Sequence, residues 1–138
     1  MAEYGVGPAT VAPPVRIPAT PPALLAANAL ETSLEAEFAK PGGGAYGAPD
    51  PSTIYTLFLP SGTEMGLPAA AGGGVVCKQA FGYHYAYKRA NGTRITYSIV
   101  GTCGVGHVGL KGLDAVATTM SHEFVEARSE ERRVGKEC

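Results

Sequence analysis

The residues best suited to chemistry lie near the end of the chain, in the segment MSHEFVEA at positions 120–127. His122 and Glu126 stand four positions apart, which on a helix places them on one face, about 6 Å apart along the axis. An imidazole nitrogen and a carboxylate oxygen at that spacing can both ligate one metal ion. Glu123 lies about 100° around the helix from His122, within reach of a metal-bound water. The spacing therefore predicts His122 and Glu126 as metal ligands and Glu123 as a catalytic general base.

This pattern matches the H-E-x-x-H arrangement of zinc peptidases, with a glutamate in place of the second histidine. Carboxylate oxygen is an acceptable zinc ligand, and sites with two histidines and one glutamate are common. The competing interpretation is an ordinary solvated helix face, which is where most His–Glu pairs occur. In the same segment Val116, Met120 and Phe124 form an apolar stripe, which we expect to face the core and leave the pair at its edge.

Another histidine, His84, lies upstream, in the segment FGYHYAYK. Histidines within strands usually serve packing and hydrogen bonding, and that is the primary interpretation of His84. It is also the only upstream side chain that we would admit as an additional metal ligand, approaching the site from a sheet.

Four elements are predicted to position these residues. Leucines and alanines at helical spacing predict a first helix over residues 23–38, ended by Pro41 and the glycines that follow it. The run TIYTLFL at 53–59 is typical of a buried strand. Residues 79–100 alternate in the period of a strand on either side of Asn91-Gly92, which predicts a β-hairpin. The final helix is expected to begin at Asp114, acting as its N-cap.

The rest of the chain limits the classes of partner. Residues 1–22 hold six prolines among small residues, which indicates an extended lead-in. The formal net charge is −1, so the chain lacks the excess of positive charge that is typical of nucleic-acid-binding proteins. No apolar stretch approaches the roughly 20 residues that a membrane span needs, and the first residues lack the pattern of a signal peptide. We expect no membrane span, and neither the oligomeric state nor the substrate can be read from the residues.

Two cysteines, Cys77 and Cys103, lie on either side of the predicted hairpin. The residues leave two alternatives open, a disulfide or two buried thiols. Because the paired strands should bring their outer ends together, we expect the two Cα atoms to lie within about 7 Å of each other.

The final stretch RSEERRVGKEC, residues 128–138, is much more charged than the rest. It resembles, over its whole length, the in-frame translation of a widely used short-read sequencing adapter. That resemblance implies an artefactual tail with no structural role and a natural sequence interrupted after Ala127. Without the tail, the chain holds seven basic and nine acidic residues, a net charge of −2.

Four segments carry a second resemblance, to a family of bacterial, mostly exported zinc metalloprotease-like proteins that is distantly similar to the plant EXORDIUM (phosphate-induced) proteins. They are YGVGPATVAPPV, DPSTIYTLFLPSGT, FGYHYAYKRANGTRITYSIVGTC and VATTMSHEFVEA. The resemblance implies an α+β, zincin-like domain over residues 23–127, with a small, mainly antiparallel sheet, an N-terminal helix and a C-terminal motif helix.

The same resemblance implies a function and a location. Zn²⁺ would be held by His122 and Glu126, and Glu123 would activate water for hydrolysis of a peptide or protein substrate. The protein would be extracellular or periplasmic. A third ligand beyond Ala127 would be missing here, so we expect this chain to be inactive as it stands. Because the plant relatives often lack the His–Glu pair, the alternative is a secreted, non-catalytic binding protein of the cell surface or cell wall.

Overall fold

The computed structural model describes residues 9–69, 72–104 and 109–130, with residues 129 and 130 as backbone only. The architecture is α+β, as predicted. In chain order the elements are β1 (Leu24–Leu25), α1 (Ala29–Phe38), a 3-10 segment (Pro41–Tyr46), β2 (Ile54–Leu59), β3 (Glu64–Met65), β4 (Gly82–Lys88), β5 (Arg94–Gly101) and α2 (Gly112–Glu130). Among the described residues, no helix is both long and apolar enough to cross a membrane.

The main sheet has three strands in the order β2-β5-β4. β4 and β5 are antiparallel, whereas β2 runs parallel to β5. β1 and β3 form a separate, parallel two-stranded pair. The prediction of a mainly antiparallel sheet is therefore wrong. The physical reason is the long connection between β2 and β5, which contains β4. It carries the chain back to the end of the sheet where β2 starts, so β5 can run parallel to β2.

The predicted hairpin is confirmed. The amide of Gly92 donates to the carbonyl of Arg89 at 2.9 Å, and the amide of Arg89 donates to the carbonyl of Thr93 at 2.9 Å. Gly92 has a φ of 86°, a left-handed conformation that glycine adopts without strain. The side chain of Asn91 closes the turn by accepting a hydrogen bond from the amide of Thr93 at 3.0 Å.

The first helix begins later than predicted, at Ala29. Leu24 and Leu25 are in β1, where the carbonyl of Leu25 accepts a hydrogen bond from the amide of Gly66 at 3.0 Å. Tertiary pairing with β3 thus overrides the helical spacing of these residues. The helix ends at Phe38, as predicted, and the glycines after Pro41 interrupt the following 3-10 segment with positive φ values of 67°, 82° and 59°.

The strand β2 forms as predicted but is not buried. It lies at an edge of the sheet, and only Leu59 is buried along its length, whereas Phe58 is 49% exposed. The apolar composition of this segment therefore indicated the strand correctly and its burial incorrectly.

One face of the sheet carries the hydrophobic core and is covered by α1. Its buried residues are Leu30, Leu34, Phe38, Leu59, Tyr83, Ile95, Tyr97 and Ile99. Three tyrosines bind α1 or the residues just before it through their hydroxyls. Tyr97 donates to Glu31 at 2.8 Å, Tyr87 to Glu35 at 2.7 Å and Tyr83 to the carbonyl of Ala27 at 3.3 Å. Alternating tyrosines on β4 thus fix the hairpin against the first helix.

The helix α2 packs on the opposite face of the sheet, but not through the predicted stripe. Met120 and Phe124 are 40% and 38% exposed, and the buried residues are Ala115, Thr119, Glu123 and Ala127. The reason is the closeness of the sheet. A Cβ added to Gly82 would lie 2.6 Å from the carbonyl oxygen of Ile99 and 2.8 Å from Cγ2 of Thr119, so only small side chains fit between the layers.

The ends of α2 also differ in detail from the prediction. The helix begins at Gly112, which places Asp114 in the first turn and not at the N-cap. It continues through Ala127 to Glu130, and the remainder of the predicted tail, residues 131–138, lies outside the described residues. The lead-in has no regular structure and is exposed over residues 9–20, while residues 1–8 also lie outside.

Cys77 and Cys103 form a disulfide, with Cα atoms 5.0 Å apart, which confirms the predicted proximity. The bridge joins the loop before β4 to the loop after β5. Gly101 lies against it, since a Cβ there would be 2.7 Å from Sγ of Cys103 and 2.9 Å from Sγ of Cys77. The disulfide therefore ties together the two loops that flank the hairpin.

Candidate metal centre

His84 lies on the face of the sheet that α2 covers. It lies at the centre of β4, opposite Ser98 of β5, and its side chain is 14% exposed. Because side chains alternate along a strand, His84 projects away from Tyr83 and Tyr85 and therefore away from the hydrophobic core. The alternation of tyrosines with Gly82, His84 and Ala86 thus places the histidine on the face that α2 covers.

Glu123 reaches His84 from the buried face of α2. Its Oε2 atom lies 3.1 Å from Nδ1 of His84, and its side chain is 7% exposed. Its Oε1 atom lies over β4, since a Cβ on Gly82 would be 3.1 Å from it. The missing side chain at Gly82 therefore leaves the space in which this carboxylate meets the sheet.

Glu126 approaches the same histidine from the next turn of the helix. Its Oε2 atom lies 3.4 Å from Nδ1 of His84 and 3.3 Å from Nε2 of His122. The Glu126 side chain is 45% exposed, so this side of the cluster opens to solvent. One carboxylate oxygen is thus shared between a histidine of the sheet and a histidine of the helix.

His84, Glu123 and Glu126 form a group whose ligand atoms all lie within 4.8 Å of one another. Two atoms bound tetrahedrally to zinc at about 2.0–2.2 Å are roughly 3.4 Å apart. The separations of His84 Nδ1 from the two carboxylate oxygens, 3.1 and 3.4 Å, match that value. One nitrogen and two oxygens are also a donor set that zinc accepts, so the residues present fit the ion.

His122 occupies the outer side of the cluster. Its side chain is 54% exposed, and it contacts Glu126 but is not a member of the group of three. The structure thus brings His122 and Glu126 together, as their spacing predicts. It adds His84 from the sheet and places Glu123 among the groups that could hold the metal, where the sequence assigned it the part of a base.

The spacing of small residues was the sequence signal that could have identified this arrangement. Ala115, Thr119 and Ala127 recur at intervals of four with Glu123 between them, which indicates a helix face that packs closely on a sheet. On that face the only long side chain is Glu123, opposite the strand that carries Gly82 and His84. Larger apolar residues one position further along the helix gave the stronger hydrophobic signal and a different orientation.

Glutamates on the other side of the sheet are bound in a different way. Arg89 donates to both oxygens of Glu35, from Nε at 2.8 and 3.1 Å and from Nη2 at 3.1 Å. These hydrogen bonds from Arg89 hold the pKa of the Glu35 carboxyl below its usual range. That carboxylate thus has its own cation within the fold.

No family model, curated protein or solved structure matches this chain. The zincin-like fold and the resemblance to exported metalloprotease-like proteins therefore stay predictions drawn from the motifs.

Proposed function

We propose that His84, Glu123 and Glu126 bind a zinc ion and that the natural protein is a zinc-dependent peptidase. The observation that carries the zinc site is the convergence of one imidazole nitrogen and two carboxylate oxygens from a strand and a helix 39 positions apart. The Glu123 carboxylate is buried, and a cation bound beside it would offset the cost of that burial. The Glu126 side of the cluster is open and leaves access for water and substrate.

Each residue of the cluster has a distinct proposed role. His84 and Glu126 are ligands, and Glu123 is placed either to complete the set or to accept a proton from a bound water. A bound zinc ion would lower the pKa of that water and polarise a peptide carbonyl. His122, on the solvent side of Glu126, has its Nε2 atom 3.3 Å from that carboxylate and would help to orient it. Peptide hydrolysis rests on the family resemblance, and zinc binding rests on the geometry.

Zinc titration by calorimetry on the purified chain tests the binding step. We expect one zinc per chain, with His84→Asn and Glu126→Gln each weakening binding at least 10-fold. Glu64→Gln is the matched control, since Glu64 is on the surface in an ion pair with Lys78. Equal zinc affinity in all four proteins would contradict the site.

Glu123→Gln separates the two roles of Glu123. If Glu123 is a ligand, the variant loses zinc affinity. If it is the general base, zinc stays bound, and the chain carrying its natural continuation loses casein hydrolysis by a factor of about 10²–10⁴. Zinc binding without any hydrolysis by the natural-length protein would contradict the peptidase and leave the metal site intact.

A second function is favoured by one observation. Glu123 is already hydrogen-bonded to His84, so the cluster is consistent without a metal. In that case the protein is a secreted, non-catalytic binding protein of the cell surface or cell wall, on the same scaffold. Absence of zinc from the natural-length protein, purified without chelators, would select this function over the peptidase.

A further inference from the structure

The strand β2 has one edge that is open to pairing. It pairs with β5 along its inner edge in a continuous register, and within the described residues no strand pairs with its outer edge. An unpaired edge presents amide and carbonyl groups that can bind a further strand, unless charges, proline or a bulge protect it. The segment IYTLFL of β2 contains neither a charged residue nor a proline. The outer edge of β2 is therefore unprotected.

The α2 side of β2 carries side chains that the helix leaves exposed. The Oγ1 atom of Thr56 lies 2.8 Å from Oγ of Ser98, and Ser98 pairs with His84 across the sheet. Thr56 therefore lies on the α2 side, as does Phe58 two positions further along the strand. On this side α2 packs against β4 and β5. Because β2 lies beyond the helix, Thr56 is exposed and Phe58 is 49% exposed.

The side of α2 that faces β2 is apolar as well. Glu126 reaches the histidine of β4, whereas Met120 and Phe124 lie on the other side of the buried row of the helix, towards β2. Their side chains are 40% and 38% exposed. With Phe58 they make an apolar surface above β2, and the side chains of an added strand would pack against its outer margin.

A second copy of β2 is complementary to this edge. Residues directly opposite each other in antiparallel strands share a face, so the two-fold axis of such a pair passes through a residue and not between two residues. With the axis at Thr56, Ile54 lies opposite Phe58 of the second copy, which is a favourable β-branched and aromatic pair. Since β2 is uncharged, this pairing brings no like charges together.

Two prolines select the position of the axis. Pro51 and Pro60 lie on either side of β2, and neither can donate a hydrogen bond to a ladder. An axis at Thr56 pairs the whole of β2 within residues 53–59 and leaves both prolines outside. Pairing the whole strand about either neighbouring residue would place one of the prolines in the ladder.

We propose that two copies of the chain pair their β2 strands antiparallel about a two-fold axis at Thr56, which joins two three-stranded sheets into one. Both α2 helices then lie on one face of the joined sheet, and each candidate metal centre stays at the far edge, on β4. The strand contact involves about seven residues of each chain, fewer than a standard interface, so we expect a dissociation constant of about 1–100 µM. The proposal does not depend on whether the cluster binds zinc.

Sedimentation equilibrium of the purified chain, from about 5 to about 500 µM, tests the association around the expected dissociation constant. Thr56→Lys places two ammonium groups opposite each other at the axis and should weaken association at least about 10-fold. Ala90→Lys, which adds the same charge at the exposed hairpin turn, is the matched control. Equal association of all three proteins would overturn the proposal. A monomer at every concentration would also overturn it and would leave the edge to a strand of another protein.

Oxidative cross-linking tests the register, even if Thr56→Lys fails to fold. The third cysteine of the chain, Cys138, is first replaced by serine. Thr56→Cys then places two cysteines opposite each other at the axis, with Cα atoms about 4.5–5.5 Å apart, and should give a disulfide-linked dimer. In Phe58→Cys the two cysteines would be about 13 Å apart along the strands, too far to form a bond. As much linked dimer from Phe58→Cys as from Thr56→Cys, or none from either, would overturn the proposal.

Discussion

At the scale of single residues, Gly82 controls how closely the helix α2 approaches the sheet at the candidate metal centre. A Cβ at this position would lie 2.6 Å from a backbone oxygen of β5, 2.8 Å from Thr119 and 3.1 Å from Glu123. We expect Gly82→Ala to lower the free energy of unfolding by about 1–3 kcal/mol, because the helix must move away from the sheet. Urea denaturation followed by circular dichroism measures this loss.

The contact with Thr119 provides an internal control for Gly82→Ala. Adding Thr119→Ser removes the Cγ2 methyl, so the double variant should recover part of the stability and, with it, part of the zinc affinity. Equal unfolding free energies for the wild type and Gly82→Ala would show that the layers are not in close contact at this point.

The sequence identified His122, Glu123 and Glu126 from their spacing because helical geometry fixes the relation of residues three and four apart. It named His84 only as the one upstream side chain that could be added to the site, with a structural role as the primary interpretation. Whether a strand histidine faces a helix depends on which sheet face each helix covers, and neither periodicity nor propensity encodes that choice. The long-range pairing of β4 with β5 and the packing of α2 decide it.

At the scale of elements, the structure and the sequence prediction bury different faces of α2, and substitutions can distinguish between them. In the structure Thr119 is 2% and Met120 40% exposed. Thr119→Leu should therefore cost about 1–3 kcal/mol of unfolding free energy through overpacking, whereas Met120→Leu should be nearly neutral. Thermal and urea unfolding of the two variants measure the difference. The reverse order of stability would mean that the predicted stripe of Val116, Met120 and Phe124 faces the core after all.

The disulfide supports the loops on both sides of the β4–β5 hairpin. It closes a loop with a sequence separation of 26, for which the chain-entropy account gives a stabilisation of about 3 kcal/mol. Replacing Cys77 and Cys103 together by serine should lower the free energy of unfolding by roughly that amount. Urea denaturation of this variant and of the reduced wild type should agree. A wild-type protein whose stability is unchanged by reductant would contradict the bridge.

Elements defined by local chemistry were predictable, and elements defined by distant pairing were not. The hairpin follows from alternation and from the Asn91-Gly92 turn, both of which are local. The predicted start of α1 was wrong because Leu24 and Leu25 pair with β3, 40 positions away. The burial of β2 was wrong because nothing in its own residues states that it lies at an edge of the sheet.

At the scale of the whole molecule, the two faces of the sheet have different roles: one carries the hydrophobic core and the other carries the candidate metal centre. The α1 side holds the tyrosines, and burial raises the pKa of Tyr83 to about 12 and raises the pKa of Tyr97 further. The α2 side holds the candidate metal centre. A rise of pH into the alkaline range should therefore destabilise the fold by ionising the tyrosines on the α1 side of the sheet.

Alkaline unfolding tests this division. A raised pKa favours the protonated tyrosine in the folded state. The contribution of the buried tyrosine to the free energy of unfolding is therefore complete below about pH 10, and it is lost as the pH rises above that value. For Tyr83 alone this amounts to roughly 2–3 kcal/mol between pH 10 and 12. Absorbance at 295 nm and circular dichroism should change together in this range, with a smaller dependence in Tyr83→Phe. Tyrosine ionisation well before any loss of structure would contradict the burial of these hydroxyls.

The close packing of α2 has a consequence for how the protein balances folding against function. A rotation of the helix by about 100° would bury Met120 and Phe124 in place of Thr119 and Glu123, and hydrophobicity alone favours that rotation. The orientation that presents Glu123 to His84 is therefore locally frustrated, and it is maintained by the narrow space above Gly82. Substitutions that relieve this conflict would be easy to select for stability, and they would remove the candidate site as they did so.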